Sequence, residues 1–414
     1  MDLILRNIGQ LVTVAAGGRR CKAGPAMAEL GILEQAALQI RGDRIAWCGK
    51  DRDLPSQGWS HAEEIDARGM VATPGFVDAH THLVFGGSRD GEFAMRIGGC
   101  TYQQIAEQGG GILHTVRSTR ACSAEELFQK ARRYLEGMRR LGTTTAEVKS
   151  GYGLEWDTER KMLEVVRRLS REQPVELVAT FLGAHAFPPE YRLRPEEFVQ
   201  QICEEMLPLV AGLGLAAFCD VFCEHGYFSV DQGREILRHA RSLGLAGKVH
   251  ADELSASGGS RLAAETGAVS ADHLEHILPE DRLALRDAGT VAVLLPGVDF
   301  FLGHRYADAR ALIEAGVPVA LATDFNPGSC MSYSMPLMMT LACTQMRMTP
   351  EEVLTASTLN AAAALGLSDR IGSLEPGKQA DILLLDIPHY RFLPYHFGEN
   401  HVARVIKKGV RQEP

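Results

Sequence analysis

The sequence predicts an α/β protein: a (β/α)8 TIM-like barrel joined to a small β-sandwich domain built from both chain ends. Three observations carry that expectation. Between residues 72 and 368, eight short apolar runs alternate with amphipathic helical stretches. The two ends of the chain are β-like and Gly-punctuated, and neither is long enough for a core of its own. Finally, most of the runs end in histidines or carboxylates, as strands do at the functional face of such a barrel.

In chain order, DLILRNIGQLVTV reads as a strand, and residues 15–28, rich in Ala and Gly, read as a loop. ALQIRGDRIAWCG holds two short runs around Gly42-Asp43, a hairpin signal. Matching β-like material returns at IGSLEPGKQADILLLD (371–386) and HVARVIKKGV (401–410). These pieces predict one β-domain from 1–71 together with 369–414, with the barrel occupying 72–368. The eight runs are 72–79, 143–148, 175–184, 217–223, 246–251, 268–273, 290–296 and 317–323. SAEELFQKARRYLEGMRRLG (123–142) is typical of the stretches between them, with Ser123 and Glu126 spaced as a capping box.

Composition narrows the function classes. With 45% hydrophobic and 23% charged residues in 414, the chain reads as an ordinary globular protein. A net charge of −9 without Lys/Arg clusters argues against a nucleic-acid partner. Met1–Val14 lacks the basic start and apolar core of a secretory signal. No apolar run approaches the roughly 18 residues of a membrane span, so no membrane partner is expected. The nine cysteines are scattered, odd in number and free of Cys-x-x-Cys pairs, which suits reduced thiols of a cytoplasmic protein.

The chemistry gathers at the run ends. PGFVDAHTHL (74–83) delivers His80 and His82, two positions apart. Residues i and i+2 of a strand share a face, so both imidazoles converge on one point. Alone, a His-x-His is more often an ordinary strand terminus. Later runs end at Glu147, Lys149 and Tyr152; His185; Glu224 and His225; His250 and Glu253; Asp272, His273 and His276; and Asp324. Six of the fourteen histidines (80, 82, 185, 225, 250, 273) thus fall on one rim, which points to a site. The donors that read as a metal site are His80, His82, His250 and Asp324: three imidazoles and a carboxylate, with room left for water. Zn²⁺ and Fe²⁺ both suit such ligands, and spacing does not separate them.

With an HADE segment (250–253), a late His after the sixth run and TDFNPGS (323–329) before a helix, the chain resembles the amidohydrolase superfamily. Within it the closest resemblance is to the imidazolonepropionases, ring-opening hydrolases of histidine degradation. VFGGSRDGEF (84–93), EVKSGYGL (147–154) and FLGAHAFP (181–188) carry it, and it spans nearly the whole chain. The resemblance implies a metal-dependent-hydrolase barrel. It also implies hydrolysis of the ring C–N bond of 4-imidazolone-5-propanoate to N-formimidoyl-L-glutamate. Two-metal relatives place a bridging carboxylated lysine after the fourth strand; here that end offers Cys223 and Glu224, so one metal is expected. Glu224 is expected to make a buried structural hydrogen bond.

Catalytic duties fall to Glu253, His273 and Asp324, and the sequence does not decide which is the general base. His276 reads as a helix-start histidine. Arg89, in a Gly-rich loop, is the candidate clamp for the substrate carboxylate. By resemblance Tyr152 and His185 contact substrate, as does Glu253. Asn326, Gly328 and Ser329 would hold its far end through an amide, backbone N–H groups and a hydroxyl at a helix start. The excursion 84–142, with Gly109-Gly110-Gly111, is long enough for a lid. Two alternatives stand beside this reading. One is an aminohydrolase of the cytosine or guanine deaminase kind; the other is a metal-free scaffold. The resemblance also admits a homodimer.

Overall fold

The structure is a computed structural model and describes residues 2–100, 104 and 109–412. Eight strands form a mixed sheet. From the N-terminus come β1 (Asp2–Val12), β2 (Ile32–Arg41), β3 (Arg44–Lys50), β4 (Glu63–Asp66) and β5 (Val71–Pro74). The barrel strands follow: β6 (Phe76–Asp78), β7 (Thr143–Lys149), β8 (Glu176–Ala184), β9 (Phe218–Cys223), β10 (Ala246–Ala251), β11 (Ser270–His273), β12 (Val291–Leu294) and β13 (Val319–Leu321). The C-terminus returns to the mixed sheet with β14 (Ile382–Leu385), β15 (Val402–Lys407) and β16 (Val410–Gln412).

The mixed sheet runs β16-β15-β14-β5-β1-β2-β3, with β4 paired to β1. Both chain ends therefore meet in it, β14 lying antiparallel to β5. The hairpin expected at Gly42-Asp43 joins β2 to β3, with Arg41 opposite Arg44. The expected run 72–79 divides: residues up to Pro74 belong to the mixed sheet, and the barrel begins at Phe76. The cause is local. Proline donates no ladder hydrogen bond, the Gly75 N–H turns to Asp381 O at 3.0 Å, and a Cβ at Gly75 would lie 2.2 Å from Thr144 Oγ1.

The second sheet runs β13 through β6 in unbroken sequence order, all neighbours parallel. Its two ends meet. His82 N donates to Phe325 O and Asp324 N donates to His80 O, each at 3.0 Å, and Thr81 bridges Phe325 in parallel. Helices such as Ala124–Arg140, capped by the Ser123–Glu126 box, cover the outside. β7 and β9 are buried along their whole lengths yet carry Glu147, Lys149 and Asp220, so the barrel interior contains ionisable groups.

The mixed sheet is also tied to the barrel through charge. Glu176, at the start of β8, lies 3.3 Å from Lys407 Nζ and is ion-paired to Arg370. Burial works to raise its pKa, but those cations prevail and hold it at about 2. No described helix is long and apolar enough to cross a membrane.

Candidate metal centre and substrate pocket

β6 ends at Asp78, whose carboxylate accepts from Thr323 N at 3.0 Å and Thr323 Oγ1 at 2.6 Å. This clasp sets His80 and His82 beside the end of β13. His80 Nε2 and His82 Nε2 are 3.3 Å apart, and Asp324 Oδ1 lies 3.4 Å from each. His250, at the end of β10, completes a group of three imidazoles whose donor nitrogens all lie within 4.8 Å of one another. All four residues are buried.

These groups fit one small cation. Donors bonded to a tetrahedral ion at about 2.05 Å stand roughly 3.3 Å from each other. Asp324 Oδ1, His82 Nδ1 and both ring nitrogens of His250 are buried without a hydrogen-bond partner. Unpaired polar atoms in such a place are costly for a protein alone. Burial, reinforced by the Lys149 charge and neighbouring imidazoles, holds His80 and His82 far below the usual histidine range, in the neutral form a metal requires.

Behind the imidazoles lies an ionic network that the sequence reading did not assemble. His80 Nδ1 meets Asp272 Oδ2 at 2.7 Å. His250 Nδ1 lies 2.9 Å from Asp220 Oδ2, though out of line for a hydrogen bond. Lys149 Nζ touches Asp220 (2.6 Å), Glu147 (3.1 Å) and Asp272 (3.3 Å). Lys248 Nζ closes the set on Glu147 Oε2 at 2.7 Å. Burial opposes the charge on Lys149, but its carboxylate partners prevail and keep it above the ordinary lysine range. One ammonium thus orders both carboxylates that back the ligands. The signal was there in FCDVFC: a charge inside an otherwise apolar strand must find an interior partner.

Above the ligands opens a cavity of about 500 Å³. It brings together Arg89, Tyr152, His185, Glu253, His273, Asp324, Asn326, Gly328 and Ser329. His185 stacks on His82 at 5.0 Å, and its Nδ1 pairs with Gly151 O at 3.0 Å. Tyr152 is nearly buried, its ring 5.6 Å from that of His82. His273 sits between two carboxyls, with Nε2 3.7 Å from Glu253 Oε2 and Nδ1 3.9 Å from Glu275 Oε2. Burial lowers His273 to about 4 and raises Glu253 and Asp324 each to about 8. Asp252 (φ 50°), His273 (φ 81°), Leu274 (φ 74°) and Asp324 (φ 46°) all adopt left-handed backbone at the strand ends, strain of the kind that collects at functional sites.

Several residues take other places. Glu224 accepts from His225 N at 2.7 Å, Leu254 N at 3.0 Å, Ser255 N at 3.1 Å and the Ser255 hydroxyl, so its carboxylate is spent on structural hydrogen bonds. His225 is exposed. His276 precedes the helix Pro279–Ala288 and does not line the cavity.

The Asn326–Ser329 turn differs from expectation. Asn326 Oδ1 accepts from Gly328 N (2.8 Å) and Ser329 N (2.9 Å), while its Nδ2 donates to Asp324 O (2.8 Å) and Ser329 Oγ (2.7 Å). The amide and both N–H groups therefore satisfy one another, and the Ser329 hydroxyl proton is what the turn has left to donate. Nor does the turn start a helix, which begins at Met335. The cavity also takes Glu92, Phe93, Arg96, Phe222, Tyr227 and His304, none of them anticipated. The expected lid, 84–142, lies partly outside the described residues.

A family model described as "Amidohydrolase family" matches residues 71–411. The chain belongs to the amidohydrolase family. Among curated amidohydrolase relatives, the imidazolonepropionase of Shouchella clausii (strain KSM-K16) is 49% identical, covering 98% of this chain and 92% of that protein. The imidazolonepropionase of Symbiobacterium thermophilum is 50% identical, covering 99% and 96%. The atrazine chlorohydrolase of Arthrobacter aurescens TC1, a structure complexed with zinc, shares the fold at TM-score 0.75 with 18% identity, covering 99% of this chain and 94% of that one. Guanine deaminase of E. coli does so at TM-score 0.73 and 16% identity, covering 100% and 99%. Amidohydrolase membership and the clustered imidazoles together indicate a divalent metal ion.

Proposed function

We propose that this amidohydrolase is an imidazolonepropionase, hydrolysing a ring C–N bond of 4-imidazolone-5-propanoate to give N-formimidoyl-L-glutamate. The observation that carries this reading is a single cavity onto which His82, His250, Asp324 and Arg89 open, with His80 Nε2 3.3 Å from His82 Nε2. Relatives half identical over nearly the full chain support it over the aminohydrolase alternative.

One Zn²⁺ or Fe²⁺ ion would be held by His80, His82, His250 and Asp324. When bound, such an ion acts as a Lewis acid and makes hydroxide available near neutral pH. Arg89 would hold the propanoate, being a forked donor for a carboxylate at the cavity wall. His185 and Tyr152 would flank the ring on the side of His82. His273, neutral at working pH and 3.7 Å from Glu253, is placed to take the proton of the attacking water or to polarise the ring carbonyl. The Ser329 hydroxyl donates at the far wall. The nine unpaired cysteines suit a reducing compartment, so we place the enzyme in the cytoplasm. We divide it into domains 1–71 with 369–414, and 72–368, the strand Val71–Pro74 crossing that boundary to stay in the mixed sheet. The decisive test is loss of the ultraviolet absorbance of 4-imidazolone-5-propanoate, with and without chelation. Chelator-sensitive loss supports the reading; no turnover by metal-loaded protein overturns it.

A further inference from the structure

Arg89 does not stand free at the cavity wall. Its Nε donates to Glu92 Oε2 at 2.9 Å, and its Nη2 lies 2.8 Å from the same oxygen. One edge of the guanidinium is thus occupied by a carboxylate of the protein itself. On the other side, Nη1 lies 1.9 Å from where a Cβ on Gly328 would stand. The group is held between Glu92 and the bare backbone of Gly328. A guanidinium presents two donor edges; with the Nε–Nη2 edge filled, the Nη1–Nη2 edge remains for a second carboxylate.

Glu92 is itself fixed from a third segment. Its Oε2 accepts from Gly111 N at 3.1 Å, and its Oε1 pairs with His114 Nδ1 at 3.0 Å. Burial works to raise its pKa, but Arg89 and His114 prevail and hold it below the usual carboxylate range, so Glu92 is charged at working pH. It joins the loop before the helix Asp90–Ile97 to the start of the helix Ile112–Ala121.

We infer that Glu92 is a positioning residue: it aims the free edge of Arg89 and so sets the pocket's selectivity for a carboxylate-bearing substrate. With an internal carboxylate already cancelling the arginine's charge, recognition depends on the geometry of the remaining donors more than on net attraction. This rests on Arg89 as the substrate clamp.

The test is a double-mutant cycle on the metal-loaded enzyme, reading KM, kcat and melting temperature for E92Q, R89M and the pair. E92Q is expected to raise KM about tenfold with kcat within about twofold, since the lost interaction is shared by bound substrate and transition state. In the R89M background the same change should move KM less than about twofold, because Glu92 acts through Arg89. E92D, which keeps the charge but shortens the reach, should fall between E92Q and the parent, and serves if E92Q does not fold. An unchanged KM in E92Q, an unchanged KM in a folded E92D, or an equal rise with and without Arg89 overturns the inference. An unchanged KM in R89M overturns the clamp itself, a separate failure.

Discussion

The floor and the mouth of this pocket are built on different principles. At the floor, donors leave the ends of β6, β10 and β13, and every imidazole is backed by a carboxylate or a neighbouring ring fixed in the barrel. At the mouth, Arg89, Glu92 and Gly111 come from loops and short helices and hold one another through polar contacts, with Arg89 packed against the bare backbone of Gly328. The floor is rigid because strands in a closed barrel have no freedom to drift. The mouth is ordered because its charges are paired, so it depends on fewer interactions and is open to adjustment.

The largest separation between the two should come from removing a ligand. His82→Ala is expected to abolish metal binding and cost on the order of 10³-fold or more in activity, seen as loss of metal by elemental analysis. A variant that still carries one equivalent of metal would take His82 out of the centre. Next, His273→Ala should leave metal content intact and lower kcat by about 10² to 10³. Full activity there would remove it from the chemistry.

Lys149→Met probes the floor from beneath. It leaves Glu147, Asp220 and Asp272 crowded with only Lys248 to balance them, so metal affinity should fall by about 10- to 100-fold, measured by competition with a chromophoric chelator. At the mouth, Gly328→Ala displaces the Arg89 guanidinium and should raise KM by about tenfold while kcat and metal content hold. If that substitution lowered metal affinity instead, floor and mouth would not be independent.

The smallest effect on activity serves as a reference outside both regions. The carboxyl of Glu176 titrates at about 2 in the folded protein against an ordinary 4.5. A depressed folded pKa gives stability that is present above pH 4.5 and lost as pH falls toward 2. Glu176→Gln should therefore lower stability at neutral pH by on the order of 2 kcal/mol after screening, seen as a lower melting temperature. It should flatten the acid limb of a pH–stability curve and leave kcat and KM alone.

The same division decided what could be read from the sequence. Strand ends are legible because a period of 2 and an apolar run announce them, so His80, His82 and His250 could be placed together before any coordinates. Capping boxes and the Gly42 hairpin are legible for the same local reason. The split at Pro74-Gly75 is less so: the run is apolar on both sides of it, and Pro74 marks the break only together with the Gly75 N–H bond to Asp381 and the packing of Thr144. FCDVFC announces a buried charge at Asp220 but not its partner, a lysine 71 residues away, so the network stayed hidden. The mouth was legible only by resemblance. Glu92 lies inside a string that was noticed, yet nothing in its neighbours tells that its partners are Arg89 and Gly111. Likewise, the self-satisfied Asn326 turn is a matter of hydrogen-bond direction, which composition does not encode.

The barrel seam has a consequence for how the enzyme is made. Asp78 and Thr323, which clasp the first and last strands, are 245 residues apart in sequence. During synthesis the first two imidazoles therefore leave the ribosome long before the aspartate that is to stand beside them. Closing so long a loop is an entropically late step. A four-donor site exists only once the last strand has docked against the first. Metal loading would then act as an inspection of the finished product, since a chain stalled or misregistered before β13 lacks the Asp324 carboxylate beside His80 and His82.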